Sequence, residues 1–467
     1  MGQKMNDRNN SLLNNTIIIA IGTFSTKILS FLLVPFYTIW LSPEEYGNFD
    51  LLITYVALII PFITFQLEQS IFRYVIENKN KEPRKYYYSA MQIILTNILI
   101  CNVVIYLLLR NKEFYIPFML YFNFYALFTC ISEYVRGTGN LKLYSMNNVL
   151  VSVVIVILNI LLVYIMKLNV NGMLLSYAIA YGLGFMLMTL KEKTYGSSFF
   201  KDNFKKEKKE MLKYSLPLIP NSISWWITNV SDRTIINFVI GSFYNGIYAV
   251  SCKIPTIVNL LFSVFNLSWQ QSAIESLNDS DKKNYYNKIY NGLITFLYSS
   301  SYVIIALSPI IFRFFIDSNY KEGLFQIPLL LNGVVLLSLG QFLSGIFLAN
   351  KDTKNVGIST TVAAIINLIV NLVLIKAIGL YAASFSTLLS YFILFIIRFI
   401  KLKKYFEYKV IIKKIILYNL VYILFALTIV CNNMLILFFK LILTIIIFLF
   451  SNKKIITMLL KKILRRN

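Results

Sequence analysis

KLYSMNNVLVSVVIVILNILLVYIMKLNVNG, residues Lys142–Gly172, is a basic start, a long apolar run and a short polar hinge. A run of about 20 apolar residues is the length a helix needs to cross the hydrocarbon of a bilayer. The chain then writes the same phrase again as KNVGISTTVAAIINLIVNLVLIKAIGLYAA, residues Lys354–Ala383. In both copies a lysine is followed 17 residues later by an asparagine, Lys142 by Asn159 and Lys354 by Asn371. A repeat of this size identifies a duplicated architecture and not a single accidental span.

Working outward, the rest of the chain has the same character. Hydrophobic residues make up 57% of 467 and charged residues 14%, too few to cover a soluble surface. Strict polar–apolar alternation is absent, so a β-barrel is not expected. Fourteen spans are predicted, at about 12–41, 47–75, 87–109, 114–135, 144–166, 170–190, 214–240, 244–272, 287–316, 324–349, 355–376, 378–400, 411–431 and 434–450. The first run is too long for a cleaved leader and has no small-residue cleavage site, so none is expected.

Loop charge sets the orientation. With both termini in the cytoplasm, inside segments carry 34 of the 45 Lys and Arg residues, and outside loops only Arg110, Lys112, Lys167, Lys321 and Lys376. The formal net charge of +24 is thereby assigned to topology and to anionic lipid headgroups, and nucleic acid is not an expected partner. The chain has no histidine, which removes Ser-His-Asp hydrolysis and the commonest metal ligand. Its four cysteines are far apart within apolar runs and read as small buried hydrophobes, so no metal site is expected.

The repeat pairs spans 5–6 with 11–12, and a weaker echo joins Tyr46-Gly47-Asn48-Phe49 to Asn245-Gly246-Ile247-Tyr248. The expected organisation is an all-α integral membrane protein of two pseudo-symmetric six-helix lobes, residues 1–190 and 214–400. A basic cytoplasmic linker, 191–213, joins them, and two peripheral helices and a basic tail, 401–467, follow. Six spans per half makes the symmetry axis run along the membrane normal, as in alternating-access transporters.

Polar side chains within a span usually face the bundle interior or a water-filled cavity. Span 2 carries Asp50, Thr54, Pro61, Thr64 and Glu68 on one face; span 8 carries Lys253, Thr256, Asn259, Ser263, Asn266 and Gln270. Span 7 contributes Asn221, Trp225, Thr228, Asn229, Asp232 and Arg233, and span 1 contributes Asn15, Thr23, Thr26, Lys27 and Ser30. These faces are expected to line a cavity between the lobes. Lys27, Arg233 and Lys253 are its candidate anion-binding cations, and Asn221, Asn229, Asn259 and Asn266 its hydrogen-bonding groups. Asp50, Glu68 and Asp232 are candidates for coupling to a proton or sodium gradient, with structural ion pairing as the alternative for each. Asn159, Asn367 and Asn371 read as interhelical hydrogen-bond partners.

KYSLPLIPNSISWWITNVSDRTIINFVIGSFYNGIYAVSCKIPTIV, Lys213–Val258, resembles the central signature of bacterial polysaccharide-unit flippases of the multidrug/oligosaccharidyl-lipid/polysaccharide (MOP) exporter superfamily. FLLVPFYTIWLSPEEYGNFDLL (Phe31–Leu52), SWQQSAIESLNDSD (Ser268–Asp281) and NLIVNLVLIKAIGLYAASFST (Asn367–Thr387) resemble further parts of that family. The resemblance implies translocation of an undecaprenyl-pyrophosphate-linked oligosaccharide across the bacterial inner membrane, for O-antigen, capsule or exopolysaccharide synthesis. It implies membrane lipids and polymerase or assembly proteins as further partners, and no catalytic residue. No cofactor is expected, since no G-x-x-x-x-G-K-[ST] occurs. The rival readings are a peptidoglycan-precursor flippase, a small-molecule exporter of the same superfamily, and a polysaccharide polymerase or ligase. The last is disfavoured because no outside loop could hold a catalytic domain.

The charge asymmetry makes topology testable. Reporter fusions should place the Lys191–Lys213 loop in the cytoplasm and the Ser42–Tyr46 turn outside; finding both on one side would refute the assignment.

Overall fold

The computed structural model describes residues 26–78, 82–195, 204–279, 281–350, 352–403, 411–431, 433–453 and 457. Among them every regular element is helical, as the composition predicts. Eleven helices are long and apolar enough to cross a membrane, twelve if the bent pair Ser242–Lys253 and Thr256–Ile274 is one span. The segments read as spans 1 and 7 are also helical. The first is short in its described part, Thr26–Trp40, and the second, Ile219–Val239, is interrupted by polar residues. The chain divides into two compact units, Met1–Asn229 and Val230–Asn467.

The first unit holds α1 (Thr26–Trp40), α2 (Pro43–Ile63), α3 (Leu67–Glu77), α4 (Pro83–Leu109), α5 (Tyr115–Thr138), α6 (Leu141–Asn159), α7 (Asn169–Lys191) and α8 (Lys205–Ser215). Helix α9 (Ile219–Val239) begins in it. Ser42 and Glu45 cap α2 reciprocally, satisfying the amides that a helix start leaves open. Asn169, at the start of α7, also donates to Glu45, so the turns after α1 and α6 meet at one end.

Span 2 is not the continuous helix its polar stripe suggests. The chain breaks at Thr64–Gln66, three residues past Pro61, with Phe65 and Gln66 at φ +49° and +56°. Proline weakens the preceding helical turn, and the left-handed backbone ends it. Glu68 consequently belongs to a new helix and is not in register with Asp50. Span 8 is also broken, after Lys253, where α10 (Ser242–Lys253) gives way to α11 (Thr256–Glu275) with a bend of 40°. Pro255 supplies no amide to bridge the two.

The predicted linker contains α8, which packs on α3 and α4. Met211 is fully buried there, and its carbonyl accepts from Ser70 Oγ at 2.9 Å. Arg73 lies over the Tyr214 ring at 4.6 Å. The lysines Lys205, Lys206, Lys209 and Lys213 stay exposed, as an amphipathic helix at a membrane surface requires.

The second unit continues with α12 (Lys282–Phe315), α13 (Ile327–Ala349), α14 (Thr353–Ile378), α15 (Leu380–Leu402), α16 (Ile411–Leu427) and α17 (Met434–Ser451). Helices α16 and α17, spans 13–14, pack on α12 and turn Leu424, Phe439 and Phe450 outward. Lys440 in α17 donates to the Phe425 carbonyl of α16 at 2.9 Å. The inside total of 34 takes in Arg398, but this residue lies in α15 with only 4% exposure. Its guanidinium donates to Ser359 Oγ, Thr360 Oγ1 and the Gly340 carbonyl at 2.9–3.2 Å, holding α13, α14 and α15 together.

Both units bring the helices of spans 4 and 6, or 10 and 12, into close contact over glycine. A Cβ on Gly184 of α7 would come within 2.5 Å of Val151 and 2.8 Å of Phe128; on Gly340 of α13 it would come within 2.7 Å of Leu394. Without a hydrophobic drive between helices in lipid, such close backbone approach supplies the packing energy. Gly184→Ala should therefore destabilise the purified protein by about 1–3 kcal/mol through overpacking. Gly357→Ala, where the space beside α14 is open, should stabilise it by about 0.5–1 kcal/mol. Thermal unfolding in detergent reads both, and equal effects would refute the packing account.

Candidate functional site

The polar faces expected from sequence fall on their own units as follows. In the first, Lys27 and Ser30 lie exposed on α1, Asp50 is buried in α2, and Glu68 is buried near the start of α3. In the second, Thr256, Asn259 and Ser263 of α11 are exposed and Asn266 and Gln270 half-buried, while Val258, Phe262 and Trp269 on the opposite face are buried. Trp269 stacks on Phe342 at 4.0 Å and donates to its carbonyl, fixing which way α11 is rotated. The rotation presents an amide-and-hydroxyl stripe outward from a helix of membrane-spanning register. Arg233 and Lys253 are half-buried, Lys253 beside the break between α10 and α11. The side chains of Asn221 and Asn229 lie outside the described part of the structure.

Asp232 is the focus of the second unit. Its side chain is 5% exposed, and three neutral groups point at it. Asn371 Nδ2 of α14 donates to Oδ1 at 2.8 Å, Thr387 Oγ1 of α15 donates to Oδ2 at 2.8 Å, and Tyr248 OH of α10 donates to Oδ2 at 3.2 Å. Hydrogen bonds to an ionised acceptor are about twice as strong as neutral ones. Four helices, α9, α10, α14 and α15, are thus joined at one carboxylate. Asn371 makes the interhelical bond predicted for it, and its partner is itself a candidate coupling group. Tyr248 and Thr387 were not singled out, because a hydroxyl in an apolar run carries no signal until its partner is known.

Asn159 occupies the corresponding place in the first copy of the repeat but does other work. It is fully buried, and its Nδ2 donates to Ile155 of its own helix at 2.7 Å, so the interhelical role expected of it is not what the structure shows. The chain after it widens into a π-helical turn, Ile160–Ile165, whereas α14 runs straight on past Asn371.

Glu68 lines a cavity of about 450 Å³ inside the first unit, together with Glu133 and Thr129 of α5 and Tyr144 and Ser152 of α6. One oxygen of Glu68, Oε2, is buried without a hydrogen-bond partner. Glu133 is paired with Arg136 at 2.8 Å. Glu133, an acid near the end of span 4, was a signal the sequence offered, although it belongs to no polar stripe.

Comparison with known proteins fits this architecture. A family model described as "Polysaccharide biosynthesis protein" matches residues 12–268. The chain is 24% identical over 423 residues to an uncharacterized membrane protein, MJ1375, of Methanocaldococcus jannaschii, covering 85% of this chain and 99% of that one. Among solved structures it is similar to the lipid II flippase MurJ in an inward closed conformation, with a TM-score of 0.72 and 17% identity over 95% of this chain and 100% of that one. It is also similar to an inward-facing multidrug-resistance MATE family transporter of the MOP superfamily. There the TM-score is 0.64 and the identity 12%, over 83% and 94% of the two chains. At these identities the structural likeness establishes the fold.

If the carboxylate binds these helices together, Asn371→Leu and Thr387→Val should each lower stability by about 0.6–1.7 kcal/mol, the range for buried bonds within a membrane. In an Asp232→Leu background both should be nearly neutral, since the shared partner is gone. Thermal unfolding of the purified variants measures the coupling; undiminished losses in that background would refute it.

Proposed function

The chain belongs to the polysaccharide biosynthesis protein family, and from that membership we propose that it is a flippase carrying a pyrophosphate-linked oligosaccharide on a polyprenol, undecaprenol in bacteria, across the cytoplasmic membrane. The observation that carries the reading is the outward polar face of α11, joined to the family match. The hydroxyls of Thr256 and Ser263 bond back to their own chain, but the exposed amide of Asn259, in the second half of a bent span, is poorly tolerated by lipid, and a water-filled pathway is the environment that accommodates it. Lys27, Arg233 and Lys253 supply the charge to meet a pyrophosphate along that pathway, and Asn259 and Asn266 the groups to meet sugar hydroxyls. O-antigen, capsule and exopolysaccharide units all fit this chemistry, with a polymerase or assembly protein receiving the product.

Coupling to a gradient runs through Asp232 in this reading. A buried carboxylate with Arg233 near enough to act on its charge can take up a proton, or a sodium ion once the hydroxyl and amide donors turn away, and that exchange would repack four helices at once.

A second reading has a specific observation behind it. The likeness to the lipid II flippase covers nearly the whole chain, so a peptidoglycan-type precursor is the rival cargo.

Deletion of the gene separates them. Loss of surface glycan with accumulation of single lipid-linked repeat units supports the first; lysis with accumulation of a lipid-linked peptidoglycan precursor supports the second. Restoring the gene with Lys27→Ala, Arg233→Ala or Lys253→Ala should cut export about tenfold or more, the effect of one lost charge-assisted bond. Lys→Arg replacements should be milder. Normal export by all three neutral variants would overturn the reading.

A further inference from the structure

The cavity inside the first unit is not used by any step above. Its walls come from helices α1, α2, α3, α5, α6 and α7, and its size, about 450 Å³, falls within the roughly 300–1,000 Å³ of small-molecule sites. The lining is of two kinds. Glu68, Glu133, Thr129 and Ser152 present oxygen acceptors and hydroxyls, and Tyr125 and Tyr181 present aromatic rings. Those two rings meet edge to face at 5.0 Å, and Phe128 packs on Tyr181 at the same distance, so the aromatic wall is fixed in place.

Three ligand classes can be weighed against this lining. A polyprenyl tail wants an apolar wall, and this one carries two carboxylates. A pyrophosphate would meet like charge at Glu68, for which no compensating cation lines the cavity among the described residues. A sugar ring suits both halves of the lining. Its hydroxyls donate to carboxylates and exchange bonds with serine and threonine, and its apolar C–H face lies against an aromatic ring. An amino sugar adds a cation for Glu68, which lines the cavity.

We propose that this cavity is a saccharide subsite, taking a neutral or amino sugar of the carried glycan and rejecting an acidic one. The proposal rests on the flippase reading and goes beyond it by separating two tasks. The lipid-proximal phosphate is held by cations, and a sugar is inspected by an acidic, aromatic chamber in the first unit.

Two measurements test it. Saturation-transfer NMR on the purified full-length protein uses three probes: N,N′-diacetylchitobiose, its fully deacetylated form, and a glucuronate-containing hyaluronan disaccharide. The first two should receive saturation from the wild type and the third little. Glu68→Gln should weaken the deacetylated probe about tenfold and the acetylated one less, the difference being one charge-assisted bond. Ser152→Ala guards against misfolding, since its hydroxyl otherwise returns to its own helix at Asn148; it should weaken both. Equal transfer to all three probes, or unchanged transfer in both variants, would overturn the subsite. So would sodium binding that Glu68→Gln abolishes when no probe receives saturation, which would make the chamber a cation site.

In cells, export is compared between Glu68→Gln and Lys253→Ala. A fall in both supports the subsite. Normal export with Glu68→Gln and loss with Lys253→Ala sinks the subsite and leaves the flippase standing. Normal export by both, together with unchanged surface glycan on gene deletion, sinks the flippase reading itself.

Discussion

In hydrocarbon a polar side chain has no water to turn to, so each one on a spanning helix must find a protein partner or face a wet cavity. The organisation of this protein follows from how its polar residues divide between those options. Asp232 takes the first, drawing Asn371, Thr387 and Tyr248 from three other helices. Arg398 takes it too, with three acceptors on α13 and α14. On α11, Thr256 and Ser263 are exposed but return their hydroxyls to the Lys253 and Leu260 carbonyls, and Asn259 is the exposed amide of that face, on a helix whose other face is locked by Trp269. Packing and pathway are therefore two outcomes of one constraint. A buried carboxylate that finds three donors becomes a joint between helices, and an amide left outward marks where water must reach.

The joints are set by small residues. Gly184, Gly340 and Gly345 admit Phe128, Leu394 and Trp269 to within contact of the helix backbone, where any Cβ would collide. Across the same contact between α13 and α15, Arg398 reaches the Gly340 carbonyl. Bulk at those positions would push the partners out of reach and leave buried polar atoms orphaned, a larger loss than the displaced packing alone. The glycines thus set the helix spacing on which such hydrogen bonds depend.

The helical class and the duplicated phrase were legible because each is a periodic signal in one chain segment. What was not legible depends on partners far apart in sequence. Asn159 and Asn371 sit at matching places and look alike as letters, yet one bonds its own helix and the other a carboxylate 139 residues away. The break at Thr64–Gln66 was hidden because Phe65 and Gln66 are not residues that advertise a left-handed backbone, and Pro61 alone could have been a mild kink. Arg398 was misplaced because loop counting by charge cannot tell a snorkelling residue near a helix end from one turned inward. Glu133 was passed over because a lone acid makes no stripe.

The carboxylate nest at Asp232 occurs in the second copy of the repeat, whereas Asn159 in the first has no such partner among the described contacts. Duplication would have allowed two equivalent ion sites, and divergence has left the described nest in one half. If that nest alone exchanges a monovalent cation with the gradient, the coupling ion contributes a single elementary charge to each cycle, apart from the charge the cargo itself carries. At a membrane potential of 100 mV that supplies about 2.3 kcal/mol, enough to hold a cargo ratio of roughly fiftyfold across the membrane. Such an engine is geared for certainty of direction at modest accumulation, which suits a cargo that is removed by polymerisation as soon as it arrives.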